Sequence, residues 1–135
     1  MIPQISWYNP KQTAFLVRYE PGWTWDQHKA VLKDLSRWRH ARGLKYTLCL
    51  FDLRGTTLPI NSPVAPHYKD PREESYIVIV TDNAFMHTVA EMVIRGRGHQ
   101  HLIHLTNTLE EGKALLDAQI AKMQTAARAS RNFFP

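Results

Sequence analysis

The sequence has little cysteine and no long apolar run. Cys49 is the only cysteine among 135 residues, which excludes an internal disulfide and any cysteine-based zinc motif. No stretch approaches the roughly 18 apolar residues that a membrane-spanning helix needs. The first ten residues, MIPQISWYNP, lack the basic start and apolar centre of a signal peptide. These absences predict a protein of the reducing cytoplasm without a membrane span.

Acidic residues are the minority among the charged side chains. There are 17 Lys and Arg against 12 Asp and Glu, which gives a net charge of +5. An excess of this size serves solubility more often than nucleic-acid binding, so we expect no nucleic-acid partner. Apolar residues make up 44% of the chain and charged residues 21%. This balance predicts a single globular domain over 1–135.

The order of apolar patterns predicts an α/β fold. Segments 4–8 and 13–19 are rich in β-branched and aromatic residues, and the turn NPKQ joins them into an antiparallel hairpin. Near-continuous apolar runs at 45–53 and 75–82 are typical of central strands that are covered on both faces. A fifth strand is predicted at 101–106.

Helical patterns alternate with these strands. The first helix is predicted at 24–42, with Gly43 as its C-terminal stop. Since helices between successive strands require crossovers, we expect a small open mixed sheet of about five strands, a hairpin followed by mostly parallel strands, covered by three to four helices. The four prolines of 54–74 leave room for a short helix around 63–69 at most. Capping residues precede three helices: Thr24 with Gln27, Asn83, and Thr108 with Glu111.

This order of elements resembles the STAS-like fold of bacterial anti-sigma-factor antagonists. The likeness is carried by the early hairpin, by LFDLRG (50–55) and IVIVTDNAF (77–85), and by the closing TNTLEEGKALL (106–116). It covers most of the chain as a pattern of elements. The resemblance implies a non-enzymatic regulatory or protein-binding module, which meets a protein partner or a second copy of itself.

In that family, a partner kinase phosphorylates a serine in the loop after the third strand. The family pattern resembles Asp-Ser-Ser-Gly-Leu-Gly, and the comparable stretch here is INSPVAP (60–66), in which Pro63 departs from it. Ser62 is the only serine of this stretch. The resemblance therefore implies Ser62 as the phosphorylation site, where a phosphate adds about two negative charges and repels or recruits the partner.

Polar residues follow the third and fourth predicted strands. Because ligands of open α/β sheets bind beyond the carboxyl ends of parallel strands, these residues form a candidate binding surface for a cation or a polar small molecule. The alternative is structural: Asp52 caps a loop and pairs with Arg54, and Asn83 caps a helix. An enzyme that uses Asp52, Asp82 and a histidine as acid and base is a further alternative. The candidate surface comprises Asp52, Arg54, Thr56, Thr57, Ser62, Asp82 and Asn83.

Three tryptophans suggest a second function. Trp23 and Trp25 flank the start of the first helix, and Trp38 lies near its end. Relatives of the STAS-like fold enclose apolar ligands, so a pocket between this helix and the sheet, lined by the three tryptophans, would make the chain a small-molecule or lipid-binding domain. Packing of the helix against the sheet is the structural alternative.

The first helix also has a basic stripe, formed by Lys29, Lys33 and Arg37 at four-residue spacing. Such a stripe either meets an acidic partner or is a solvated helix face. At the other end of the chain, the two phenylalanines of ASRNFFP pack on the domain, contact a second copy or belong to a flexible tail.

Histidines cluster in GHQHLIH. His99 and His101 share a face of the predicted fifth strand, while His104 falls on the opposite face. No carboxylate or cysteine stands nearby to complete a zinc site, so we expect no metal. There is no P-loop, nucleophile elbow or dinucleotide fingerprint, and we expect no cofactor.

Overall fold

The computed structural model describes residues 3–59 and 67–133, with side chains up to residue 128. None of the helices in these ranges is both long enough and apolar enough to cross a membrane. The predicted short helix around 63–69 falls mostly outside these ranges, and Tyr68 and Lys69 are not helical. The strands are β1 (Gln4–Trp7), β2 (Phe15–Arg18), β3 (Thr47–Asp52), β4 (Ser75–Val80) and β5 (Ile103–Thr106), and the helices are α1 (Trp25–Arg42), α2 (Ala84–Gly96) and α3 (Leu109–Phe133).

The five strands form one open sheet in the order β1-β2-β3-β4-β5. β1 and β2 are antiparallel, and every later pair is parallel, with Phe15 opposite Cys49 and Cys49 opposite Ile77. The predicted α/β architecture, with its hairpin and its parallel strands, is confirmed. The strands are one to three residues shorter at their ends than predicted, since the apolar patterns continue into the turns.

Local side-chain chemistry fixes the helix ends as the sequence predicts. Thr24 accepts a hydrogen bond from the backbone N–H of Gln27, and the Gln27 side chain accepts one from the N–H of Thr24, which completes the capping box. Gly43 ends α1 with φ 70°, a left-handed conformation that suits glycine. Asn83 caps α2 by accepting from the N–H of Met86 at 2.8 Å.

α3 packs closely on one face of the sheet. Its Leu116 is fully buried against β3 and β4, which contribute Leu50 and Val78 to the same cluster. At Gly112 the helix comes so near that an added Cβ would lie 2.7 Å from the Val80 side chain. This face is therefore filled, and a glycine permits the close contact.

α1 and α2 cover the opposite face, where the core is built from much larger side chains. Phe15, Tyr19, Trp23 and Phe51 are buried here, together with Cys49, which is 0% exposed. A space remains between α1, α2 and the strands.

Candidate functional site

A cavity of about 280 Å³ lies between α1, α2 and the sheet. Phe51, Ile77 and Ile79 of the sheet line it, Leu35 of α1 and Ala90 of α2 line its sides, and the connection from β3 to β4 contributes further residues. We call this space the α1–α2 cavity. Its volume is just below the range of about 300–1,000 Å³ that is usual for small-molecule sites, and its lining is mostly apolar, as in such sites.

Aromatic rings crowd the end of the cavity beside the start of α1. Trp23 and Trp25 meet edge to face, with ring centroids 5.0 Å apart. His67, from the β3–β4 connection, stacks on Trp25 at 4.9 Å with the planes only 3° apart. Within the described part of the chain, Trp25 Nε1 and His67 Nδ1 are buried without a hydrogen-bond partner. Unmet polar atoms of this kind each cost about 1–3 kcal/mol, so this end of the cavity is energetically costly.

Tyr19 and His28 form a neutral hydrogen-bonded pair in this aromatic region. The Tyr19 hydroxyl lies 2.6 Å from Nδ1 of His28. Burial, with the nearby His67 adding to it, lowers the pKa of His28 to about 4. Burial also raises the pKa of Tyr19, so the phenol keeps its proton at neutral pH. The phenol therefore donates to Nδ1, which assigns the ring hydrogen of His28 to Nε2.

Charged groups line the other end of the cavity, near the starts of β3 and β4. Arg39 of α1 and Lys69, Asp70 and Arg72 of the connection all contribute to the lining. The side chain of Arg39 is half-buried, and its Nη1 donates to the carbonyl of Leu44 at 3.1 Å. The cavity is thus aromatic and neutral at one end and mainly basic at the other.

The segment that follows His67 is fastened to the end of α2. The hydroxyl of Tyr68 shares a hydrogen bond with Nδ1 of His99. Arg97 lies over the Tyr68 ring at 5.2 Å and contacts Asp70 at 3.4 Å. These contacts hold Tyr68 in place as a side of the cavity.

The predicted residues at the carboxyl ends of β3 and β4 do come together, outside the cavity. Asp52 is buried and accepts from the backbone N, the Nε and the Nη2 of Arg54 at 3.2, 2.9 and 3.0 Å. Burial by itself acts to raise the pKa of Asp52, but the hydrogen bonds and charge of Arg54 outweigh it, and the pKa is lowered. Asp82 accepts from the N–H of Gly55 at 3.0 Å. We call Asp52, Arg54, Gly55 and Asp82 the carboxyl-edge cluster.

The remaining candidates at this edge have different surroundings. Thr56 is buried, accepts from Trp23 Nε1 at 3.2 Å and donates to the carbonyl of Leu53 at 2.8 Å. Thr57 is exposed. Asn83 is the cap of α2, and Ser62 lies outside the described residues. Thr56 therefore ties the edge to the aromatic end of the cavity.

The basic stripe and the third tryptophan lie elsewhere. Lys29, Lys33 and Arg37 are exposed on α1, and Arg37 pairs with Asp34 at 3.3 Å. Trp38 packs against the rings of β1 and β2 and does not line the cavity. The prediction that all three tryptophans line one pocket is therefore wrong for Trp38.

The predicted pairing of His99 and His101 on one strand face is also wrong, because β5 begins only at Ile103. His99 bonds Tyr68, and His101 lies 3.7 Å from Glu73. His104, on β5, stacks on a tyrosine ring. Among the side chains described, no three His, Cys, Asp or Glu residues are grouped so as to hold a metal ion.

Sequence reasoning did not identify Tyr19, His28 or His67 as cavity residues. A signal was present for His28, which follows Trp25 by three residues and therefore shares its helix face. Nothing local marks His67, whose partner is 42 positions earlier in the chain.

Comparison with known proteins finds no relative of this chain. No family model matches the sequence, no curated protein matches it, and no solved structure matches it. Two regions of the described chain have geometry that bears on function: the α1–α2 cavity and the carboxyl-edge cluster.

Proposed function

We propose that the chain is a binding domain for a small, largely apolar molecule, which occupies the α1–α2 cavity. The cavity itself is the observation that carries the proposal. The cavity is partly open to solvent and lined mainly by apolar groups such as Phe51, Ile77 and Ala90. An apolar molecule that enters it removes this apolar surface, and its own, from water.

The polar atoms at the aromatic end support the same function. Ligand pockets combine an apolar lining with a few polar groups that fix orientation. His28 is neutral and its Nδ1 is bonded to Tyr19, so Nε2 is the nitrogen left to donate to a ligand acceptor. The site is preformed, since neighbouring side chains hold the rings of Tyr19 and His28 in place.

A cavity-filling substitution tests this proposal. We expect Ala90→Trp to place an indole in the cavity and to weaken binding of the neutral fluorescent probe N-phenyl-1-naphthylamine at least tenfold. The matched control is Phe85→Gln on the same helix, because Phe85 is 69% exposed and could bind the probe at the surface. This control should leave the affinity unchanged.

Unchanged probe binding by a folded Ala90→Trp variant would overturn the proposal, as would a wild-type chain that does not bind the probe. Circular dichroism and a cooperative thermal transition establish that the variant is folded. If Ala90→Trp does not fold, the smaller Ala90→Leu substitution fills part of the same space and should weaken binding in proportion.

A second candidate function rests on the carboxyl edge of the sheet. We propose that this edge presents the β3–β4 connection to a protein partner or a second copy, as in a STAS-like regulatory module of the cytoplasm. Arg54 and Thr57 are exposed there, on a backbone that Asp52 and Asp82 hold in place through the carboxyl-edge cluster. Phosphorylation at Ser62 or Thr57 would regulate the contact by adding negative charge to this connection.

Phosphopeptide mapping of the protein isolated from its own cells tests this second candidate. A phosphate on Ser62 or Thr57 would support it, and complete coverage of an unmodified connection would contradict it. Thr56 serves as an internal control, because its hydroxyl is buried and already makes two hydrogen bonds.

The enzyme alternative gains no support from these contacts. Asp52 is held by Arg54, with Arg18 at 4.0 Å, and Asp82 accepts a hydrogen bond from the N–H of Gly55. Neither carboxylate lines the cavity. In the described ranges, neither makes a hydrogen bond or ion pair with a histidine, so no acid–base pair forms there.

A further inference from the structure

We propose that the ligand of the α1–α2 cavity is an amphipathic anion, with an apolar or aromatic body that ends in a carboxylate or a phosphate. This inference rests on the proposed function and adds the chemical class of the ligand. It comes from the unequal distribution of charge between the two ends of the cavity.

The end near the starts of β3 and β4 carries an excess of positive charge. Arg39, Lys69 and Arg72 line the cavity there, against the single acid Asp70. Asp70 is already engaged by Arg97 at 3.4 Å. An anion placed at this end therefore meets several cations and one carboxylate whose charge is partly compensated.

Arg39 is the cation best placed to bind an acid group. Its half-buried side chain donates through Nη1 to the carbonyl of Leu44, which fixes the guanidinium without neutralising it. Among the described residues, no carboxylate lies within ion-pair distance of Arg39 or Lys69, whereas Arg72 has Glu74 at 3.6 Å. A guanidinium beside an apolar cavity forms strong, often bidentate hydrogen bonds with carboxylate or phosphate oxygens.

The opposite end accepts only an uncharged group. Trp23, Trp25 and Phe51 surround it with ring faces and edges, and His28 is neutral at physiological pH. Burying an ion among these rings without a countercharge would be costly. The ligand body should therefore lie toward the tryptophans and its acid group toward Arg39.

The volume of about 280 Å³ also limits the size of the body. It suits a body of up to about three aromatic rings or a short single chain, and it is small even among drug-sized sites. A carboxylate and a phosphate share the chemistry that Arg39 recognises, so the two must be separated by experiment.

Two probes with the same aromatic body isolate the role of charge. 1-Anilinonaphthalene-8-sulfonate has an anionic group that N-phenyl-1-naphthylamine lacks. We expect Arg39→Gln to weaken binding of the anionic probe about tenfold, as the loss of a charge-assisted hydrogen bond predicts. The affinity for the neutral probe should change by less than twofold. Arg39→Lys keeps the charge and should retain part of the affinity.

Lys33→Gln is the matched control, because Lys33 is exposed on α1, carries the same charge and lies outside the cavity. It should affect neither probe. Displacement of the anionic probe by decanoate, decyl phosphate and decanol then separates the acid groups. We expect each acid to compete at least tenfold better than the alcohol. The acid that competes more strongly then identifies the natural head group.

The outcomes distinguish this inference from the proposed function. Suppose that Ala90→Trp abolishes binding of the neutral probe but Arg39→Gln does not change binding of the anionic probe. This result would overturn the anion inference and leave the proposed function standing. Equal competition by decanol and the two acids would overturn it as well. Failure of both probes to bind the wild-type chain would overturn the proposed function itself.

Discussion

The hydroxyl of Tyr19 and Nδ1 of His28 are 2.6 Å apart in the aromatic region between α1 and the sheet. Tyr19 comes at the end of β2 and His28 one turn into α1, so the pair joins the two elements across the intervening turn. Burial keeps both groups neutral at physiological pH, so the pair is a structural hydrogen bond there. His28 takes up a proton only in the acidic range.

Stability should fall as the pH decreases from about 6.5 to about 4. The pKa of His28 is 6.5 in an unperturbed chain and about 4 in the fold, so the unfolded state takes up the proton first. The predicted loss is on the order of 3 kcal/mol over this interval. Urea unfolding at a series of pH values measures it, with Tyr19 and His67 as the polar groups that face the His28 ring.

His28→Gln should flatten this pH dependence, whereas His40→Gln should preserve it, because His40 is exposed near the end of the same helix. An unchanged slope in His28→Gln would assign the acid sensitivity to another group.

Gly112→Ala should destabilise the fold by about 1–3 kcal/mol, although alanine is the better helix former. The new methyl group would lie 2.7 Å from the Val80 side chain and 3.2 Å from Val78 and Thr106, so buried atoms must move. Gly96→Ala is the control, since its added Cβ meets nothing within 4 Å. Thermal unfolding of both variants checks the prediction, and equal stabilities would contradict close packing of α3.

Trp23 and Thr56 should show a coupling energy in a double-mutant cycle. Thr56→Val removes the acceptor of Trp23 Nε1 and leaves a buried donor unpaired, at a cost of about 1–3 kcal/mol. Because Trp23→Phe removes that donor, the two substitutions together should cost less than their sum. Strict additivity in urea unfolding would show that the bond contributes nothing.

Arg54→Gln should destabilise the fold by about 1 kcal/mol at neutral pH, because it leaves the carboxylate of Asp52 without its main partner. The effect is smaller than for a fully buried pair, since 40% of the Arg54 side chain is exposed. Arg37→Gln breaks an exposed pair and should change stability by less than about 0.5 kcal/mol.

The effect of Arg54→Gln also has a defined pH dependence. The pKa of Asp52 is lowered in the fold, so Arg54 stabilises above the ordinary value of 3.8, and this contribution disappears as the pH falls through the lowered pKa. The stabilities of wild type and variant should therefore converge in strong acid. A constant difference across the pH range would contradict the ion pair.

Features governed by neighbours in the chain were predictable from the sequence. The capping box of Thr24 and Gln27, the stop at Gly43 and the alternation of strands with helices each depend on a few adjacent residues. The pairing of Asp52 with Arg54 is also local, and its structural interpretation agrees with the observed contacts.

The cavity could not be predicted in the same way. Its lining brings together residues that are far apart in the chain, such as Trp25 and His67, whose rings stack. Periodicity places Trp25 and Trp38 on the same helix, but it does not say which of them faces the cavity. The histidine pair His99 and His101 was misplaced because an apolar pattern alone does not mark where β5 begins.

The single cysteine makes the dynamics of this sheet measurable without any substitution. Cys49 is 0% exposed in the central strand and burial raises its pKa, so a thiol reagent can modify it only when the strand becomes accessible. The labelling rate of the wild-type chain thus reports the free energy of that opening. A molecule bound in the cavity beside this strand should slow the labelling in proportion to its occupancy, and so provide a kinetic screen for the natural ligand.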